Sequence, residues 1–257
     1  MVLLFVRANQ ELFRSPTLIL LHYIVPCIVG IAFGFVYRGI TPDLSGIQNY
    51  AGSFFTIQVF WCLVSITAVD TWNASRVAVH RELTSRSYTV FPYFIAYALN
   101  DLLIMRIMPP VCFAVPFSYL SGVADDVESF TYFAEVLILT SVSFASICLF
   151  LGALFPSSRT GTSAGVVVVV LSLIFGGLLV NRASAYLEQK WYNPIFYMTP
   201  LSYAYEAMMV LVLDGSTITF NPKGIHEDVQ TTGSIWLANF GMSAKNYEFD
   251  MKGLLGF

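Results

Sequence analysis

Charge is scarce in this sequence. Only 11% of its 257 residues are Asp, Glu, Lys or Arg, where a soluble domain carries roughly a quarter. With 56% hydrophobic and 16% aromatic residues and a mean hydropathy of +0.69, a single water-soluble globule is excluded, because even a large domain leaves about a quarter of its unfolded surface exposed. The basic residues are scattered and the net charge is only −3, which excludes an electrostatic nucleic-acid interface. Cysteine is sparse too. Cys27, Cys62, Cys112 and Cys148 fall one in each of the first four apolar runs, without CxxC spacing, and read as small buried hydrophobes rather than zinc ligands or a disulfide framework. The three histidines, His22, His80 and His226, are far apart, so no metal centre or membrane-embedded enzyme is expected. A phosphate-binding G-x-x-x-x-G-K-[ST] segment is missing, and this chain is therefore not expected to hydrolyse ATP alone. Residues 1 to 16 carry Arg7, Glu11 and Arg14 and lack a small-residue cleavage site, so the first span is expected to act as its own insertion signal.

Long apolar runs are what the sequence does have. Residues 1–16 pattern as an interfacial helix, with Leu3, Val6 and Phe13 on one side and Arg7, Gln10 and Arg14 on another. Ser15-Pro16 is a helix start signal. Transmembrane helices are expected at 18–37, 54–72, 102–120, 132–155 and 163–180, each near the roughly 20 residues that cross a bilayer. The loop 38–49 reads as turn-rich. The second span is more polar than the first, carrying Thr56, Gln58, Ser65, Thr67 and Asp70, and is expected to line an interior; the third holds Pro109, Pro110 and Pro116 and is expected to be irregular and surrounded by protein.

Residues 181–248 read as a small external region. Within it the apolar piece 207–214 is too short to span and suggests a re-entrant or interfacial helix. Glu206 at its start reads as a dipole cap. Thr217-Ile218-Thr219-Phe220 alternates like a strand, and Asn221-Pro222-Lys223-Gly224 supplies turn chemistry, so a β-hairpin is expected. Residues 249–257 look like the start of a truncated sixth span. The fold class is thus an all-α polytopic membrane protein with five transmembrane helices and a small cap.

A block of charge and aromatics, from His80 to Pro110, separates the second and third spans. The loops on its side hold Arg7, Arg14, Arg76, Arg81, Arg86 and Arg159, whereas the other short loops hold Arg38 against Asp43, Asp125, Asp126 and Glu128. The positive-inside rule therefore places the N-terminus and this block in the cytosol, and the sequon Asn73-Ala74-Ser75 is expected to be unglycosylated. Arg106, inside an apolar run, must snorkel or pair, with Asp101 and Glu82 as available partners. Gly30-x-x-x-Gly34 and Gly161-x-x-x-Gly165 mark close helix approaches.

These residues resemble a family. Arg81-Glu82 with Tyr88 and Tyr93-Phe94, Asp101-Leu102-Leu103-x-Met105-Arg106-x-x-Pro109, Phe175-Gly176-Gly177-Leu178-Leu179-Val180-Asn181, Tyr203-Ala204-Tyr205-Glu206-Ala207-Met208 and Thr232-Gly233-Ser234-Ile235-Trp236 are similar, in order, to the membrane domain of white/ABCG-subfamily ABC transporters. The resemblance implies one ABC-2-type transmembrane domain over residues 1–257 and a half-transporter that exports hydrophobic or amphipathic molecules, such as lipids, sterols or xenobiotics, by ATP-driven alternating access in a homo- or heterodimer. ATP and Mg would sit on a separate nucleotide-binding domain, and this chain itself would hold no cofactor and no metal. Residues 73–90 would match the coupling helix, with Arg81, Glu82, Arg86 and Tyr88 against that domain. Phe60, Trp61, Leu63, Val170 and Leu173 would face a substrate cavity, Leu178 and Leu179 would form its exit constriction, and Asp101 with Arg106 would be the buried charge of the third span. The host membrane would be the plasma membrane or an organelle. Two departures stand out: Leu211-Val212 occupies the place of a frequent Asn-Glu pair, and no cysteine follows Cys148. The alternative class is an ATP-independent channel or secondary transporter.

Overall fold

Pro16 and Asp43 set where the first two long helices begin. The computed structural model describes residues 2–40, 43–74, 76–124, 126–183, 191–220 and 229–257. Helix α1 is Val2–Phe13 and α2 is Pro16–Val36; Pro16 sits at the first helical position, where its missing N–H would have had no partner in any case. Helix α3, Leu44–Ser65, starts earlier than the expected residue 54. The side chain of Asp43 accepts from the backbone N–H of Gly46 at 2.7 Å and from Ser45 Oγ at 2.8 Å, so the second half of the predicted loop 38–49 is helical instead. After a break at Ile66 come α4, Thr67–Ala74, and α5, Arg76–Thr84.

The third span takes an unexpected form. Helix α6, Val90–Asn100, passes through a π-helical segment, Asp101–Ile107, into α7, Met108–Ser121. Pro109 and Pro110 cannot donate back to the carbonyls of Met105 and Arg106, and a wider turn makes room for their rings. The irregularity read from three prolines is thus a change of helix type just before two of them.

Helix α8 is Val127–Leu154 and α9 is Ser158–Ile174. Among the described residues four helical runs are long and apolar enough to cross a membrane: Pro16–Val36, Ser45–Thr84, Val90–Ser121 and Val127–Leu154. The fifth expected span, 163–180, is instead the 17-residue α9, ending before residue 175. Gly177 has φ +98°, and a Cβ on Gly176 would lie 2.5 Å from Leu201 Cδ2, so the chain turns away where a helix would collide with its neighbour.

Helix α8 is the central post, packing against α3, α4, α7 and α9. Around it an aromatic core joins Trp61, Phe113, Phe117 and Phe133, with the Phe113–Phe117 and Phe117–Phe133 rings stacked at 5.7 and 5.3 Å. Helices α2 and α7 approach most closely at Gly30 and Gly34. A Cβ on Gly30 would sit 2.7 Å from the Phe113 carbonyl oxygen, and one on Gly34 would sit 2.7 Å from Leu120 Cβ. Because backbone cannot yield as a flexible side chain does, Gly30→Val is expected to destabilise by about 1–3 kcal/mol, measurable as a lower melting temperature in detergent; Gly52→Ala, with open space around it inside α3, is the control that should not lower it.

Beyond α9 lie α10, Asn193–Phe196, and α11, Pro200–Leu213. Helix α11 was expected as about eight residues from 207; it has 14 because Pro200 starts it earlier, still only about 21 Å long. All its residues but Leu211 and Val212 are buried, which explains a sequence that is apolar on every face. Strands β1, Thr217–Phe220, and β2, Val229–Thr232, form the expected antiparallel hairpin, with Thr217 opposite Thr232 and Phe220 opposite Val229. The predicted turn 221–224 lies outside the described residues. Helix α12, Gly233–Asn239, a 3₁₀ turn at Ala244–Asn246 and α13, Tyr247–Gly256, complete the chain. Both α11 and α13 pack on α8.

Candidate functional site

At the end of α5, the backbone finishes in a paired C-terminal lock. The N–H of Ser87 donates to the Glu82 carbonyl at 3.2 Å and that of Arg86 to the Leu83 carbonyl at 3.0 Å, with Arg86 at φ +55° in the position that usually takes glycine. This turn aims Glu82 and Tyr88 at each other: Tyr88 Oη donates to Glu82 Oε2 at 2.7 Å. The same carboxylate oxygen accepts from Arg7 Nη1 at 2.7 Å, while Arg7 Nε donates to Glu11 Oε1 at 2.9 Å. Helix α1 is thereby tied to α5. The two carboxylates raise the Arg7 guanidinium above its ordinary range, hydrogen bonding to Glu82 foremost; burial and the Glu82 bond hold the Tyr88 phenol above its own. Arg81 and Arg86 are exposed on this face. From Tyr88 a ladder of rings runs inward, Tyr88 on Tyr93 and Tyr93 on Tyr97, each at 5.7 Å, and Tyr97 Oη donates to the Thr71 carbonyl of α4 at 2.6 Å.

Glu82 is therefore not the partner of Arg106, as the sequence left open. That partner is Asp101: Arg106 Nε donates to Asp101 Oδ2 at 3.0 Å and Nη2 to Oδ1 at 3.4 Å, with the side chains 1% and 4% exposed. Residues five apart on an α-helix point about 140° apart. The π turn, whose bonds close from i to i+5, brings them onto one face.

A second buried pair surrounds Glu206. It lies well inside α11, not in its first turn, so the expected capping role does not apply. Its Oε2 accepts from Arg182 Nη1 at 2.5 Å, and its Oε1 accepts from the Ser243 N–H at 3.1 Å and from Asn246 Nδ2 at 3.0 Å. The Arg182 guanidinium also lies 4.8 Å from the centre of the Tyr197 ring. Glu206 is wholly buried and thereby joins three segments: the turn after α9, α11 and the approach to α13. Asp250 on α13 is wholly buried as well. Arg182 escaped the sequence reading because one arginine after an apolar run looks like an interfacial anchor; only the folded chain sets it opposite Glu206.

The residues expected around a substrate cavity are dispersed. Leu63 and Val170 are about half exposed on the outside of the chain, and Leu173 and Phe60 are half-buried. Trp61 is fully buried in the aromatic core beside Phe113 at 6.0 Å. Leu178 packs against the core while Leu179 is exposed, both on the non-helical stretch after α9. All four cysteines are free.

Comparison with known proteins identifies the family. The ABC-2 type transporter family matches residues 1–213. A probable ATP-dependent permease of Saccharomyces cerevisiae is 25% identical over 98% of this chain and 24% of its own length. ABC transporter G family member 24 of Dictyostelium discoideum is 27% identical over 97% of this chain and 21% of its own length. The rat broad substrate specificity ATP-binding cassette transporter ABCG2 is 26% identical over 92% of this chain and 36% of its own length. The chain thus spans between a fifth and just over a third of the length of these three relatives. Because the family match takes in every helix from α1 to α11, this chain is a membrane-spanning member of the ABC-2 type transporter family, and its relatives are transporters of the ABCG group.

Proposed function

We propose that this chain is the transmembrane half of an ATP-driven exporter that moves hydrophobic or amphipathic molecules outward by alternating access in a dimer. The observation that carries the reading is the Arg7–Glu82–Tyr88 tie between α1 and α5. A segment that transmits the motion of a soluble motor has to be stiff and attached to the spans it moves, and here the charged helix α5 is held to α1 on one side and to α4 through the tyrosine ladder on the other. In this proposal the motor is a nucleotide-binding domain carrying ATP and Mg, Arg81 and Arg86 face it, and the N-terminus is cytosolic. Leu63, Val170 and Leu173 then meet the second half across the dimer axis, and a largely apolar meeting surface suits hydrophobic cargo. The relatives' names support an ATP-dependent permease.

The test is Glu82→Ala in the complete transporter reconstituted in vesicles. Exposed pairs such as Arg7–Glu82 contribute only about 0–1 kcal/mol, so surface expression should hold. Transport is expected to fall at least tenfold while ATP hydrolysis stays within about twofold of the unmodified protein, and Arg7→Ala should show the same uncoupling in weaker form. Unchanged transport in Glu82→Ala would sink the coupling role of the tie.

A further inference from the structure

Helix α6 is held less firmly than the helix that continues it. Of its 11 residues Ala96 and Asn100 are buried, whereas seven of the 14 residues of α7 are. Two cavities flank α6. One, of about 550 Å³, is lined by its Phe94, Ala98 and Leu99 and by Leu149, Phe150 and Ala153 of α8; the other, of about 480 Å³, is lined by its Tyr97 and by Ala8 and Leu12 of α1. Helix α7, by contrast, is stacked into the aromatic core through Phe113 and Phe117 and lies against Gly30 and Gly34 of α2. The π-helical segment Asp101–Ile107 therefore joins a loosely packed helix to a clamped one, and sparse packing of this kind decides where a structure opens most readily.

The winding of that segment depends on a bond from outside it. In an i to i+5 pattern the carbonyl of Ile104 looks to residue 109, and Pro109 has no N–H to give. Tyr23 of α2 fills the gap: its Oη donates to the Ile104 carbonyl at 2.6 Å. In an α pattern the same carbonyl would accept the N–H of Met108, so the Tyr23 hydroxyl favours the π winding over the α winding, as the Asp101–Arg106 pair does. Helix α2 is a fixed post for this bond. Its glycines lie against α7, and its His22, 1% exposed, shares a hydrogen bond of 3.0 Å with Thr67 Oγ1 at the start of α4.

We propose that the π-helical segment is a hinge at which α6 swings against α7, and that Tyr23 is its latch. Packed on α1 and joined to α5 through the tyrosine ladder, α6 follows the helices that face the motor; this drive rests on the exporter reading, whereas the latch does not. As α6 swings, the Tyr23–Ile104 bond opens, the Ile104 carbonyl takes the Met108 N–H, and the winding tightens. Pro109 and Pro110 oppose a finished α-helix, because their rings crowd the carbonyls of Met105 and Arg106. The segment therefore returns when the drive is removed, as a hinge must.

Amide hydrogen exchange on the complete transporter in nanodiscs tests both parts. Without nucleotide, Tyr23→Phe should speed exchange over residues 101–108 about threefold or more, the effect of losing one hydrogen bond, and leave residues 111–121 of α7 unchanged. Tyr119→Phe, at a residue 88% exposed, is the control that should alter neither. Trapping the unmodified transporter with ATP and vanadate should speed exchange over 101–108 and not over 111–121. In Tyr23→Phe that increase should be smaller, because the bond that opens is already gone; a tyrosine that only supports the fold would leave the increase as it was. Exchange in resting Tyr23→Phe equal to that of the unmodified protein, or an undiminished increase on trapping, overturns the latch. A trapped transporter that exchanges equally along α6 and α7, or shows no change over 101–108 while it hydrolyses ATP and moves cargo, overturns the hinge. A complete transporter that neither hydrolyses ATP nor moves cargo overturns the exporter reading instead, and the resting comparison still decides the latch.

Discussion

Replacing Glu206 by alanine is expected to destabilise the protein by about 3–5 kcal/mol, the loss seen when one member of a buried ion pair is removed. Arg182, with a side chain only 10% exposed, would keep its charge and lose its carboxylate, and the Ser243 N–H and Asn246 amide would lose their acceptor. Since all three donors come from segments flanking α11, the damage should spread beyond the mutated helix. In a chain of this size each kcal/mol moves the melting temperature by about 2–4 °C, so a drop of roughly 10 °C is expected in a thermal shift measured by size-exclusion chromatography. Glu206→Gln keeps an acceptor and should fall less. The pair Arg182→Met with Glu206→Leu removes both charges and should recover most of the loss, because apolar replacement of a whole buried pair is often neutral. A Glu206→Ala protein melting within about 1 °C of the unmodified one would show that the pair holds nothing together.

The second large effect concerns Arg106. Arg106→Leu leaves Asp101, 4% exposed, as an unpaired carboxylate at membrane depth, and a loss of about 3–5 kcal/mol is again expected. What distinguishes this pair is its dependence on helix type. If Pro109 and Pro110 force the wide turn, then Pro109→Ala with Pro110→Ala should let the segment relax toward an α-helix, swing Asp101 away from Arg106 and destabilise by a comparable amount. Combined with Arg106→Leu, the double alanine change should add little, since both changes break the same contact. Full additivity in that cycle would separate the prolines from the pair.

Several features of this protein could be read directly from residue order. The spans of α2 and α8 follow from unbroken apolar runs longer than any soluble core helix needs. The start of α2 follows from Pro16 at its first position, without a side-chain cap from Ser15, the strand Thr217–Phe220 from alternation, and the close α2–α7 approach from Gly30 and Gly34. Other features were displaced by partners distant in sequence. Asp43 turned an apparent loop into the first turns of α3 by capping Gly46. Gly176 against Leu201 stopped α9 inside an apolar run that pattern alone would carry to residue 180. Glu206 looked like a cap because the helix around it appeared to start at residue 207, and Pro200 starts it sooner.

Composition and hydropathy by themselves determined that the chain lives in a membrane, because apolar surface on this scale has no other solvent, and motif order determined the family it resembles. Tertiary structure alone decided how the charges are used. Sequence separation says nothing about which charges meet, whether at the surface or in a low-dielectric interior where an ionised group must find a partner: Arg7 and Glu82 are 75 positions apart, Arg182 and Glu206 are 24, and Asp101 and Arg106 are five. The nearest of these pairs meets only because the helix between its members is wound wider than an α-helix, and the farthest only because α1, packed on α6, brings Arg7 within reach of α5.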